Sequence, residues 1–353
     1  MATFNKATWS TLLINVFNQL KEEPFFLKAA LGASQVFSPA TTLKWRMIHT
    51  AGKMAQMGLR GDPSKQLDIK ATAEDITVTP PQIFERDYIE STEALTSSFD
   101  LTQLANLTAG SDISKAFMYL YGIKLQGLKE RWARRIEYMY AQLLLTGAVT
   151  FTTAERTFTQ DYATSHAGTL ALTSTTDPLA DIGEDCEAFA QAYGQWPNMI
   201  LLTPALARSI LAHDHVEKYI SKNTYQFGLL KPRFVSPSVR FMGSFQEFGI
   251  PDMYVYAGTY VSDAGVVTNY IPETSDTSGK MILLNTDAFA LGFGAVIDFE
   301  LRPDGTPLQS DVIIKERIPE ESEGHTKTLS LLSYPLPILW NSSGVQTFTT
   351  TIS

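Results

Sequence analysis

The sequence predicts an α+β chain in which an extended N-terminal part and one very long helix precede a lobe of alternating strands and helices. Three observations lead there. Phe117, Tyr121, Leu125, Leu128, Trp132, Ile136, Met139 and Leu143 recur in steps of three and four, the period of one helical face. Residues 32 to 90 contain Gly52, Gly58, Gly61, Pro63, Pro80 and Pro81, too many breakers for a helix. Beyond residue 150, short strand-like runs alternate with shorter amphipathic stretches.

The N-terminal elements come first. Leu12, Leu13, Val16, Phe17 and Leu20 form an amphipathic segment that Pro24 ends, because proline lacks the amide donor and restricts the residue before it. A second apolar run follows at Phe25, Phe26, Leu27, Ala30 and Leu31. Within 32 to 90, alternation at Leu67, Ile69 and Ala71 and again at Ile76 and Val78 suggests the two sides of a long hairpin. A stretch of this length inside one compact domain is either disordered or ordered by a partner, and its apolar content favours the partner. The long helix should start near Ser111 or Asp112, which can cap free amides, and stop at Gly147. It would run ~50 Å at ~1.5 Å per residue, which suggests a building block. Gly122 and Gly127 lie inside it at a cost of ~1 kcal/mol each and are expected bend points. They serve either a helix that flexes during a shape change or close packing against a neighbouring backbone.

In the second half, Thr157 to Thr176 reads as strand or loop, and Ile182, Cys186, Phe189 and Tyr193 mark a short helix. Met199 to Leu202 reads as a buried strand, and Thr203-Pro204 should cap and launch a helix running through His213. Further strands are expected at 253–256, 266–271, 281–284, 312–315 and 326–332, with Asp263-Ala264-Gly265 turning a hairpin between Tyr260 and Val266.

Composition limits what the chain can do. With 353 residues, 44% hydrophobic and 18% charged, it can bury a large core divided into two or three lobes. The polar first ten residues, followed by Asn15, Asn18 and Gln19 among the apolar ones, predict no secretion signal. The uncharged stretch 138–154 is interrupted by Gln142 and several threonines and predicts no membrane span. The lone Cys186 excludes an internal disulfide and fits a reducing cytosol. A net charge of −9 argues against a general nucleic-acid binder. Residues 1 to 60 nevertheless hold seven basic side chains against two acidic ones, a net of +5 that leaves −14 for the rest. That asymmetry reads either as a basic arm seeking an acidic surface, the nearest being a second copy, or as scatter.

The search for catalytic or ligand chemistry finds little, and neither enzyme nor cofactor is expected. His213 and His215 end a predicted helix, where they suit the dipole better than a metal. Gly292-x-Gly294 lacks the third glycine of a dinucleotide loop and falls in a run that reads as buried sheet. Glu316, Glu320, Glu321 and Glu323 could hold a cation, but Pro319 and Ser322 favour a solvated loop. Lys124, Lys129, Arg131, Arg134 and Arg135 on the long helix are the one patch suited to DNA; pairs such as Glu130 with Arg134, in a stretch that also holds Glu137, are the simpler reading.

The order of short motifs carries a resemblance. Leu12-Leu13, Glu23-Pro24-Phe25-Phe26-Leu27-Lys28, Val36-Phe37 and Thr41-Thr42-Leu43 resemble the opening of the lambda-type phage major capsid proteins, the capsid protein E family, and Met54-Ala55-Gln56-Met57, opening the hairpin, is similar to that family's extended loop. Leu202-Thr203-Pro204, the run from Val255 to Val261, Asn269-Tyr270-Ile271-Pro272, the run from Ser333 to Leu339, and Gly344-Val345-Gln346 are similar to its second half. The resemblance spans nearly the whole chain in collinear order.

It implies the Hong Kong 97 phage-type capsid fold: residues 1–45 an N-terminal arm, 46–92 an extended loop, 93–200 a peripheral domain with spine helix 112–146, 201–320 an axial domain, and 321–353 a C-terminal strand returning to the peripheral domain. The implied function is a major capsid protein forming hexamers and pentamers of an icosahedral or prolate head around double-stranded DNA, assembled in the host cytoplasm and resident in the virion. The implied partners are further copies, a separate scaffolding protein, a decoration or cement protein, and DNA held without sequence specificity; no membrane is involved. Phe25, Phe26, Trp45, Arg46, Met54, Met57, Leu59 and Arg60 are the expected inter-subunit contacts, with Gly122 and Gly127 the spine-helix bend. The alternatives are an encapsulin-like compartment and a soluble ligand-binding or enzymatic α+β protein; a secreted adhesin is disfavoured. Underlying all of this is one expectation: roughly the first 150 residues satisfy their apolar side chains against sister copies and not within their own monomer.

Overall fold

The computed structural model describes residues 16–20, 25–49, 73–90, 112–153, 155–172, 177–222, 233–262, 264–273, 278–302, 304–317 and 326–352. Its axis is α2, the unbroken 35-residue helix Asp112–Thr146, preceded by the short α1 (Phe26–Leu31). Helix α2 ends as the sequence requires: Gly147 adopts φ 69° and its N–H bonds the Leu143 carbonyl at 2.9 Å. Tyr121, Leu125, Leu128, Trp132, Ile136, Met139 and Leu143 are all buried, and so are Leu120, Ala133, Tyr140 and Leu144 on the flanks of that stripe. The helix is therefore the centre of a core and not a free rod.

Strands β1 (Gln35–Phe37), β2 (Leu43–Ile48), β3 (Ala73–Val78), β4 (Ile83–Glu90), β5 (Ala148–Thr152) and β6 (Thr157–Asp161) belong to this first core. From the C-terminal half it takes β15 (Phe289–Phe293), β16 (Ile313–Arg317), β17 (Thr326–Ser333) and β18 (Pro335–Leu339). They form the sheets β1-β15-β18 and β16-β17-β4 and the ladders β2-β3 and β5-β6. The fully buried run Phe289–Phe293 explains why Gly292 is needed there: a Cβ on it would lie 2.7 Å from Ile338.

The second core is a seven-stranded sheet, ordered β7 (Ser165–Leu172), β19 (Val345–Ile352), β14 (Ser278–Leu284), β8 (Met199–Leu202), β11 (Ile250–Tyr256), β10 (Val239–Phe245) and β9 (Arg233–Ser236). Helices α3 (Pro178–Tyr193), α4 (Pro204–Leu211) and α5 (Asp214–Lys222) contribute to its core. Asp177 caps α3 by accepting the Leu179 N–H at 3.1 Å, and Gly194 ends it at φ 89°. Pro204 opens α4 as expected, but the Thr203 hydroxyl turns away to accept from the Lys280 amide, and Glu273 supplies the cap from 68 residues away, accepting the Ala205 N–H at 2.7 Å. The β12 (Thr259–Val261) and β13 (Val267–Asn269) hairpin has the predicted turn, with Gly265 at φ 77°.

Three expectations are corrected. Much of the described part of the first 150 residues buries its apolar side chains in its own chain, since Phe17, Phe26, Leu27, Leu31, Leu43, Trp45 and Met47 all enter the first core, while Phe37, Ile48, Phe84, Tyr88 and Ile123 stay exposed. Ile76 and Val78 pair with Trp45 and Leu43, whereas the sequence reading paired their run with 67–71, which lies outside the described residues. Helix α4 stops at Leu211, and His213 instead opens α5, its ring nitrogen facing the His215 amide at 3.4 Å. Sheet pairing joins distant segments: β7 and β19 lie side by side in the seven-stranded sheet, while β17 and β18 belong to the first core.

Candidate assembly surfaces

The N-terminal segment is strapped to α2 by two buried charges. Glu137, 1% exposed, accepts the N–H groups of Leu27 at 3.0 Å and Lys28 at 2.7 Å and the hydroxyl of Tyr256 at 2.8 Å. Helix α1 has no side-chain cap from Phe25, so Glu137 serves as its N-cap from 110 residues away. Lys129, 6% exposed, mirrors this by donating to the carbonyls of Phe17 at 3.0 Å and Leu20 at 2.8 Å, at the end of the helical turn 16–19. Burial pushes the Glu137 carboxyl above the ordinary range, against the four groups that favour its charge: the Leu27 and Lys28 amides, the Tyr256 hydroxyl and the Lys28 ammonium. Lys28 lies 4.3 Å over the Trp132 ring, and Phe17 meets Trp132 edge-on.

The root of the extended loop is equally tied down. Ladder β2-β3 runs in register from Leu43 with Val78 to Ile48 with Ala73. Alternate burial in β2 turns Leu43, Trp45 and Met47 inward and Lys44, Arg46 and Ile48 outward. Trp45 donates its indole N–H to the Leu339 carbonyl at 3.2 Å and stacks on Tyr162. Arg46 grips Asp75 with two bonds of 2.6 and 3.0 Å, and that hydrogen bonding holds the Asp75 carboxyl below its usual range. His49 places Nδ1 3.0 Å from the Ser342 hydroxyl and Nε2 3.6 Å from Glu74.

Of the predicted contact residues, Phe26 and Trp45 are thus covered by their own chain, Phe25 is half-buried, and Arg46 is exposed but paired within the hairpin. Met54, Met57, Leu59 and Arg60 lie outside the described residues. Gly122 and Gly127 sit in continuous helix, and a Cβ at either would meet nothing within 4 Å, so no described backbone of the same chain packs closely enough to require glycine. The basic face of α2 is largely neutralised from within. Lys124 and Arg131 pair with Asp87 of β4, Arg131 also with Glu85, Arg134 with Glu130, and Lys129 is buried on carbonyls. Glu137, placed beside that basic stretch in the sequence, turns into the core.

Chemistry elsewhere is sparse. No group of three metal-ligating side chains occurs among the described residues. Glu316 is engaged by Lys327 at 2.7 Å and by the Tyr121 hydroxyl at 2.7 Å, while Glu320, Glu321 and Glu323 lie outside the described residues. The Cys186 thiol is buried and pushed up to about 12 by that burial, which keeps it protonated. No described helix is long and apolar enough to cross a membrane.

A spine helix flanked by an N-terminal strap and a hairpin root, next to a separate sheet lobe, is the architecture of a phage capsid subunit. Two solved structures share it. A prophage protein of Escherichia coli CFT073 described as a capsid protein superposes with TM-score 0.64 at 14% identity, covering 98% of this chain and 99% of its own. A phage-related protein from Bordetella bronchiseptica RB50 gives 0.53 at 12% identity, with 96% of each chain covered. The family model described as phage major capsid protein E matches residues 10–350, and the chain belongs to that family. No curated protein matches the chain. The family gives it a structural role in the virion, as one subunit of a multimeric shell.

Proposed function

We propose that copies of this chain form the hexamers and pentamers of an icosahedral or prolate head that encloses the double-stranded DNA of a tailed phage. Assembly takes place in the host cytoplasm with a separate scaffolding protein, a cement protein can bind the finished shell, and the chain itself carries no catalytic activity. The peripheral role falls to the first core around α2 and the axial role to the seven-stranded sheet. DNA is held without sequence specificity, in keeping with a net charge of −9 and a helix whose cations are largely occupied internally.

The observation that carries this reading is the anchored hairpin root. Trp45, Arg46 and His49 fix the two strands at its base, and the role assigned to the segment between them is contact with a neighbouring subunit. Each such contact can be modest, because apolar burial at ~25 cal/mol per Å² is repeated in every copy of a closed shell. Deleting Ala51 to Lys65 removes none of the described core residues, and the expected product is a folded, soluble protein that forms no shells. Normal particles by electron microscopy would refute the role assigned to the loop. Particles filled with a protein cargo and free of nucleic acid would favour the encapsulin-like alternative.

A further inference from the structure

Two surface features of the chain are complementary to each other. After β15, Phe299 projects at 71% exposure beside Ile297 at 47%. The turn that carries it is rigid: the buried Asp298 accepts the N–H groups of Glu300 at 3.0 Å and Leu301 at 3.1 Å and is bound by Lys315. Glu300 is half-exposed, and among the described residues its ion pair, to Lys315, is long at 3.4 Å. Such a pair is worth little and leaves the carboxylate available.

A groove of about 120 Å³ opens between the start of β4, the C-terminal half of α2 and β5. Pro81, Phe84, Tyr138 and Phe151 are among its walls, and Arg135 lies in it. The Arg135 guanidinium stands 5.9 Å from the Tyr138 ring and 5.6 Å from the Phe151 ring. It has no carboxylate within ion-pair distance among the described residues, because Glu85 in the same groove is engaged by Arg131 at 3.4 Å. At about 120 Å³ the groove is of the same order as the closed apolar cavity of ~150 Å³ that accepts benzene, and it is open on one side, so a phenyl ring can enter it from outside.

We propose that Phe299 and Glu300 of one copy seat in the Arg135 groove of a second copy. The phenyl ring fills the aromatic walls, and the carboxylate supplies the acid that Arg135 lacks, in the two-pronged geometry guanidinium favours. Knob and groove are different patches, so the contact is head-to-tail, the type that closes rings of subunits. The proposal rests on the shell-forming reading and assigns one interface within it.

The test compares the full chain with Phe299→Ala, Arg135→Glu, Glu300→Arg and the double exchange Arg135→Glu/Glu300→Arg, scoring shell yield by sedimentation and electron microscopy and monomer folding by circular dichroism. Each single variant should fold normally and lose at least ~10-fold in yield, and the double exchange should recover most of it. Phe299→Ala is the check on misfolding, because that side chain touches little of its own chain. Shells at the unsubstituted yield from Phe299→Ala and Arg135→Glu, or a double exchange no better than the singles, would overturn the proposal while leaving the shell reading intact. An unsubstituted chain that never assembles would overturn both.

Discussion

Replacing Glu137 with leucine tests how the N-terminal strap is held. The substitution keeps the side chain's size but removes every acceptor, so Leu27 N–H, Lys28 N–H and Tyr256 O–H lose their partner at once. A buried donor left unsatisfied costs ~1–3 kcal/mol, which puts three at ~3–9 kcal/mol if nothing moves. The strap can lower that cost by lifting off α2 and letting water reach its amides. Doing so would expose Phe26, Leu27 and Leu31, worth ~1.5–3 kcal/mol each, with the conformational entropy of the freed residues offsetting part of the loss. The expected result is local: helix α1 opens while the rest of α2 keeps its packing. Hydrogen exchange followed by mass spectrometry should show the amides of residues 26–31 exchanging at least ~100-fold faster, equal to ~2.7 kcal/mol, with residues 139–146 unchanged. Exchange within ~10-fold of the unsubstituted protein would refute the reasoning, since it would mean that the three donors find water or another acceptor at no cost.

Alanine at Gly122 and Gly127 finds open space in a regular helix, so each change should raise stability by up to ~1 kcal/mol, measured by denaturant titration. If these glycines are the points at which the spine bends, the doubly substituted particles should assemble but fail to expand on packaging; normal expansion by cryo-electron microscopy would reject the bend. Asp185 is raised to about 6, mainly by burial and further by Asp181 and Glu184. The folded state therefore binds a proton that the unfolded state releases between pH ~4 and ~6, so this residue's contribution to stability grows as pH falls through that window and is lost above it. Asp185→Asn should flatten that part of the profile and stabilise the protein near pH 8, by at most ~1 kcal/mol given solvent screening; an unchanged difference between pH 5 and pH 8 would contradict this.

The parts legible in the sequence were those set by short-range periodicity. The stripe on α2, its stop at Gly147, the Pro204 helix start and the hairpin after Tyr260 all follow from spacing or from one punctuating residue. Pairings between distant segments were not legible. Strand β2 finds β3 across 24 intervening residues, and the alternation at 67–71 offered an equally good partner pattern. The Glu137 cap was missed because Glu130 and Arg134 nearby suggested surface pairing. One signal could have revealed it: Glu137 lies between Ile136 and Tyr138 in the most apolar stretch of the helix, while the run beginning at Phe26 has no capping side chain before it. The self-contained burial of Phe26 and Trp45 was hidden for the same reason, since their partners Tyr254, Tyr162 and Leu339 lie more than 100 residues away.

As a member of a capsid protein family, this chain builds a shell through contacts between copies. Size-exclusion chromatography of the purified protein, followed by negative-stain electron microscopy of the leading fraction, tests it most directly. Closed particles of uniform diameter eluting near the void volume are expected. A single sharp monomer peak at every concentration, with no particles on the grid, would contradict it.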